Sequence, residues 1–162
     1  MEMKKGVAHL GPGEGRSLWV LGGLVTYKVT SEQTNGAYSL FESVTKPQEG
    51  VPPHLHHRED ESFYVLEGEF EFFDDERTVK GGPGTFVYIP KGTLHGFSNV
   101  GDTPGRMLNS QTPGGFHERF FEEIGEEAQD LTNPPVMEGP PDIERVVRIA
   151  AKYGTQFPPP PD

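Results

Sequence analysis

The segment PPHLHHREDESF, Pro52 to Phe63, brings His54, His56 and His57 together with Glu59, Asp60 and Glu61. Neutral imidazoles and carboxylates are metal ligands, and their spacing decides which of them can act together. On a β-strand, side chains alternate with period 2. His54 and His56 then share one face, and Leu55 and His57 share the other, so His57 is expected as an outward or rim histidine. The run HREDE reads as a tight connection, and SFYVLEG after it reads as a strand ending at Gly68. A carboxylate at the start of that strand faces the same side as Phe63 and Val65, and Glu61 meets that condition best. Arg58, Glu59 and Asp60 are expected in a solvated turn.

A further imidazole lies downstream, in GPGTFVYIPKGTLHGFSN. Thr85 to Ile89 reads as a strand running into the turn Pro90-Lys91-Gly92. His95 then opens the next strand, with Phe97 on its face. Three imidazoles and one carboxylate suit Fe, Mn, Co, Ni, Cu or Zn better than Ca or Mg. Four such ligands leave one or two positions open on an octahedral ion. Open positions mean catalysis or ligand binding rather than a closed structural site.

The elements that must position these groups are short. LWVLGGLVTYKV and AYSLFESV are separated by SEQTNG, where Asn35-Gly36 is a hairpin-type turn signal. SFYVLEG, EFEFFDDERTVKG, GTFVYIPKG, HGFSNVG and GRMLNSQT follow, each bounded by Gly, Pro or Asp. Such even spacing of short β segments argues for a sandwich or barrel. Residues 1–16 read as an irregular arm, 18–112 as the barrel, 113–154 as a helical extension and 155–162 as a Pro-rich, extended tail, all within a single domain. In the extension, Phe116, Phe120, Phe121 and Ile124 form one helical stripe, and Pro113 fits the first turn. Ile143, Val146, Val147 and Ala150 form a second stripe, with Asp142 as N-cap and Gly154 at the end.

The two histidine segments resemble the two motifs of the cupin superfamily. The first motif is H-x-H, three or four residues, E, six residues, G, met here by His54, His56, Glu61 and Gly68. The second is G, five residues, P-x-G, two residues, H, three residues, N, met by Gly84, Pro90, Gly92, His95 and Asn99. One departure stands at Gln48, where the family pattern opens with Gly. The resemblance implies an all-β cupin double-stranded β-helix, or jelly-roll barrel, carrying the two short C-terminal helices. It also implies that His54, His56, Glu61 and His95 ligate one divalent transition metal. TNGAYSLFE, PPHLHHREDESFYVLEGEFEF and TPGGFHERFFEEIGE further resemble small bacterial cupins similar to quercetin 2,3-dioxygenase.

That narrower resemblance implies a metal-dependent dioxygenase acting on a flavonol or another small enol or phenol. Glu61 would be the catalytic base that takes the substrate's hydroxyl proton. O2 would be the co-substrate. Phe41, Phe63, Phe97 and Met107 are candidates for an apolar pocket wall, with ordinary barrel core as the simpler reading, and Tyr27 and Trp19 are weaker candidates. Two other functions use the same ligands: an isomerase or lyase that needs no O2, and a non-catalytic small-molecule-binding protein.

Composition narrows the partners. The net charge of −11 repels phosphate backbones, so nucleic acid is not an expected partner. From Glu118 to Glu144 there are nine acids and, as a base nearby in the first helix, Arg119. They are expected on the solvated faces of the two helices rather than on a docking surface. With no cysteine, thiolate zinc sites and a cysteine nucleophile are excluded. No stretch has signal-peptide or membrane-span character, so a cytoplasmic location is the default. The arm and exposed strand edges lead us to expect a homodimer.

Overall fold

The computed structural model describes residues 6–159. Ten strands follow the arm: β1 (Arg16–Val20), β2 (Gly23–Val29), β3 (Ser39–Thr45), β4 (Gly50–His56), β5 (Asp60–Glu67), β6 (Phe70–Asp74), β7 (Thr78–Gly81), β8 (Phe86–Ile89), β9 (His95–Asn99) and β10 (Gly105–Thr112). Then come α1 (Phe116–Ile124), β11 (Glu126–Glu127), α2 (Ile143–Lys152) and β12 (Thr155–Gln156). They form two antiparallel sheets, ordered β11-β1-β2-β3-β10-β5-β8 and β12-β4-β9-β6-β7. This is the expected all-β jelly roll, with two short helices after the tenth strand.

Alternation sorts the inner faces into rows. Across β3, β10, β5 and β8, Ser39, Gln111, Glu61 and Ile89 stand in register. The next inward row holds Tyr27, Phe41, Asn109, Phe63 and Val87. One core cluster contains Phe63, Val65, Phe70, Phe72, Phe97 and Met107. Fully burying a side chain of this size contributes about 1.5–3 kcal/mol, so this floor of aromatic rings holds the two sheets together. A second cluster, Leu18, Val20, Val25, Tyr27 and Phe41, receives Phe121 and Ile124 from α1. The helices join through a third, of Phe120, Val146, Ile149 and Ala150.

Several local expectations shift. Pro113 does not sit in the first helical turn: α1 begins at Phe116, and Pro113 follows a cis peptide bond after β10. The buried stripe of α2 is Val146, Ile149 and Ala150, while Ile143 is 58% exposed. Asp142 caps α2 by accepting a hydrogen bond from the Arg145 amide, as expected. Asn35 and Gly36 both have positive φ, 54° and 81°, within a longer connection than a two-residue hairpin. The start of the expected tail is not loose, because Thr155–Gln156 is a strand paired with β4. The rest of that tail from 160 onward, and the first five residues of the arm, lie outside the described residues.

The acidic run is solvated as expected except at Glu118, and several of its exposed carboxylates also find partners. Glu122 and Glu127 hold Arg16, Glu123 holds Lys152 and Tyr153, and Glu118 is buried against the Ser31 amide and hydroxyl. No helix among the described residues is long and apolar enough to cross a membrane.

Two backbone positions ahead of the first histidine explain the departure from the motif. Gln48 has φ 63°, the left-handed region that favours glycine. Its amide donates to the Asn99 carbonyl at 2.9 Å, and its side chain donates to the Gly101 carbonyl at 3.0 Å. These bonds offset the strain, of about 1–2 kcal/mol, that a non-glycine residue meets there. At Gly50 the constraint is space, since a Cβ would lie 2.0 Å from the Phe97 carbonyl oxygen. Gly50→Ala is therefore expected to force β4 away from β9 and cost more than about 2 kcal/mol, a Tm drop of roughly 4–8 °C. Thermal unfolding followed by circular dichroism checks this, and an unchanged Tm would contradict the close approach.

Candidate metal centre

The two sheets bring the four residues together from different directions. In the first, β5 carries Glu61 inward at its start. In the second, β4 and β9 pair with His54 opposite His95, and His56 lies one inward step further along β4. One ligand atom from each of His54, His56, Glu61 and His95 lies within 4.8 Å of every other, and all four residues are buried. Glu61 Oε2 is 3.1 Å from His56 Nε2 and 3.1 Å from His95 Nε2. His57 points away, as alternation requires, and meets Gln156 Oε1 at 2.8 Å on the exposed side.

The far side of each ring is held. His54 Nδ1 donates to the Pro52 carbonyl at 2.8 Å, and His95 Nδ1 donates to the Thr93 carbonyl at 2.9 Å. A carbonyl only accepts, so each Nδ1 carries the hydrogen and each Nε2 offers its lone pair to the cluster. His56 Nδ1 lies 3.1 Å from Thr155 Oγ1 and 3.2 Å from Glu59 Oε1. Gln111 Nε2 donates to Glu61 Oε1 at 3.2 Å, and Ser39 Oγ donates to Gln111 Oε1 at 3.3 Å. One carboxylate oxygen is thereby fixed from behind, and the other faces the imidazoles.

Glu59 corrects the reading of the turn. It was expected in solvent, yet it is 2% exposed and bonded to His56. Its neighbours are not free either: Asp60 accepts from the Lys91 amide at 2.8 Å, and the Arg58 guanidinium lies 5.1 Å over the Phe116 ring. The connection folds onto the barrel and α1, which excludes water from the Glu59 carboxylate.

Sequence reasoning also passed over Gln111, Thr155 and His117. Gln111 follows from alternation along β10 once Met107 is placed inward. His117 precedes Phe120 and Phe121 by one helical turn, so the stripe of α1 already included it. Its ring stacks on Phe41 (5.2 Å, 15°), packs 4.0 Å from Phe121 and stands 5.9 Å from His56. Thr155 had no local signal, since it lies 99 residues from its partner.

The apolar pocket candidates are buried in the core. Phe63 and Phe97 stand one inward step along their strands from Glu61 and His95, and with Met107 they belong to the aromatic floor. Phe41 belongs to the second cluster, beneath His117.

The electrostatics follow from burial against charge. For Glu61, burial favours the neutral acid, but the charge and hydrogen bond of His56, with His95 and His117, outweigh it and hold the carboxyl well below its usual range. For His56, burial opposes the cation, but Glu61 and Glu59 outweigh it and raise the pKa to about 10. His54 and His117 show burial winning, which lowers them to about 4 and about 3. Burial likewise raises Glu59, against the pull of His56.

The donor set fits a transition metal. The Nε2 lone pairs of His54 and His95 and one carboxylate oxygen converge within a sphere the size of a coordination shell, and the outer hydrogen bonds orient the rings in the manner of metal-ligating histidines. The jelly roll with this buried cluster of three histidines and one glutamate between its sheets is consistent with a cupin double-stranded β-helix. Residues 41–110 match the family model described as a cupin domain, and the match supports a cupin superfamily protein.

Within it, the chain resembles quercetinase-like proteins. It is 27% identical over 114 residues to quercetin 2,3-dioxygenase of Bacillus subtilis, covering 70% of this chain and 33% of that protein. It is also 27% identical over 119 residues to quercetin 2,3-dioxygenase of Aspergillus japonicus, covering 69% and 33%. The chain thus aligns with about one third of the length of these curated relatives. Among solved structures, a predicted oxalate decarboxylase from Thermotoga maritima superposes with TM-score 0.53 at 25% identity, over 56% of this chain and 80% of that one.

His117 sets a pH dependence that can be measured without any ligand. Its folded pKa, about 3, lies below the unfolded value of about 6.5, so on acidification the unfolded chain takes the proton first. The stability it confers is complete above about pH 6.5 and is lost as pH falls towards 3. His117→Phe keeps the ring packing and removes that titration. Urea unfolding at pH 7 and pH 4 is expected to show a smaller difference for the variant than for the wild type; equal differences would contradict a buried, neutral His117.

Proposed function

We propose that the protein is a metal-dependent cupin dioxygenase, acting on a flavonol or another small enol or phenol. The observation that supports this best is the Glu61 carboxylate standing among three inward-turned imidazoles, in a chain whose curated relatives include two quercetin 2,3-dioxygenases. In this reading His54, His56, Glu61 and His95 hold one divalent transition metal. When bound, such an ion supplies Lewis acidity and a template for the substrate oxygen.

The remaining work falls to the protein. Glu61, held ionised, takes the substrate's hydroxyl proton at Oε2, while Gln111 keeps Oε1 in place. Phe63 and Phe97 form the apolar floor beneath the cluster, with Met107 behind them, and Phe41 with His117 forms the wall towards α1. Burial of the cluster keeps bulk water from competing for the activated substrate. We place the protein in the cytoplasm and take it to act as a homodimer. Exposed Tyr64, Phe86 and Tyr88 along the β5–β8 edge support the pairing, and sedimentation measures it.

The test couples elemental analysis of purified protein to oxygen uptake with a panel of flavonols, enols and catechols. Uptake is expected with at least one compound. It should fall by at least 100-fold in His54→Ala, His56→Ala and His95→Ala. No uptake by metal-loaded protein across the panel would overturn the dioxygenase reading, and turnover under strict anaerobiosis would replace it with an isomerase or lyase. Glu61→Ala is expected to lose metal, whereas Asp60→Ala retains it; the reverse result would move the carboxylate ligand.

A further inference from the structure

The strand after α2 lies outside the matched cupin domain, yet it reaches the cluster at three points. Thr155 pairs with His56 and Gln156 with Leu55, so β12 runs along the strand that carries two of the imidazoles. Thr155 is 2% exposed, and its Oγ1 lies 3.1 Å from His56 Nδ1. Beyond it, the Phe157 ring packs 5.4 Å from the His54 ring. The strand is locked at its start, where the His57 amide donates to the Gly154 carbonyl at 2.8 Å, and α2 delivers it through its apolar contacts with α1.

We propose that Thr155 is a positioning residue for His56, and that docking of the 154–157 segment and metal binding are one coupled equilibrium. This rests on the metal reading above. The other two imidazoles are oriented by carbonyls two residues before them, Pro52 within β4 and Thr93 just ahead of β9, so their support is local. His56 has no such local carbonyl; its Nδ1 depends on Glu59 across the turn and on Thr155 from the far end of the chain. Donation from Nδ1 to these oxygens fixes the tautomer that leaves Nε2 free for a cation, so an undocked segment leaves His56 less well aimed. By linkage the effect is reciprocal: a cation that prefers the aimed ring must stabilise the docked segment by the same factor.

The experiment uses the full chain with Zn2+ alone, competed against a chromophoric chelator. Thr155→Val, which keeps the shape of the side chain and removes the acceptor, is expected to weaken Zn2+ about 10-fold, within the range for groups that support metal ligands. Thr155→Ser is expected to restore wild-type affinity. Affinity of Thr155→Val within twofold of wild type, in a variant that melts like wild type, would overturn the proposal. Hydrogen exchange on the wild type gives an independent arm. Saturating Zn2+ should slow exchange in the peptide covering 154–157 by about the factor found for the valine variant, or more, and unchanged exchange would overturn the coupling. If the wild type bound no Zn2+, Mn2+, Co2+ or Ni2+, the metal reading itself would fall, an outcome distinct from a valine variant that binds normally.

Discussion

Everything near the centre of this barrel answers to one buried carboxylate. An ionised Glu61 shut between two sheets would cost several kcal/mol without compensation. The structure compensates it from both sides: His56 and His95 face one oxygen, and the Gln111 amide faces the other. That requirement propagates outward. His56, turned towards Glu61, needs an acceptor at its other ring nitrogen, which explains why Glu59 is drawn out of solvent. The Gln111 side-chain oxygen needs a donor of its own, which explains a buried serine at Ser39. The polar network therefore occupies one row across the sheets, and the row beneath it is filled with aromatic rings.

The same arrangement separates two kinds of histidine by their surroundings. His54, His56 and His95 each have one ring nitrogen fixed from behind and the other directed at the cluster. His117 has apolar rings on both sides and a buried Nδ1 without a partner. It is close enough to the cluster to feel Glu61 but is not one of the converging donors. Charge in this barrel is thus concentrated on a few groups that can share it, with a neutral imidazole completing the wall.

The local part of this was legible in the residues. Alternation on β4 separated His54 and His56 from His57, and the glycine- and proline-bounded segments marked the β regions, although LWVLGGLVTYKV and EFEFFDDERTVKG each hold two strands. What was not legible has a common cause. Glu59 in a polar turn looks like any solvated acid until α1 and the barrel close over it. Thr155 sits beside a Pro-rich stretch that reads as extended tail, and only pairing with β4 makes it a strand. Ile143 and Ile149 are equally apolar, and the choice between them depends on how α2 packs on α1 rather than on periodicity. Gln48 is the opposite case, where departure from a glycine motif conceals the same left-handed backbone, held instead by two hydrogen bonds.

The reach between His56 and Thr155 has a kinetic consequence. Their contact closes a separation of 99 residues, whereas the His54 and His95 rings are set by residues only two positions away. Contacts so distant in sequence form late, because the chain between them must first be ordered. The support of His56 therefore depends on the folded barrel as a whole, unlike the short ligand runs of small zinc modules.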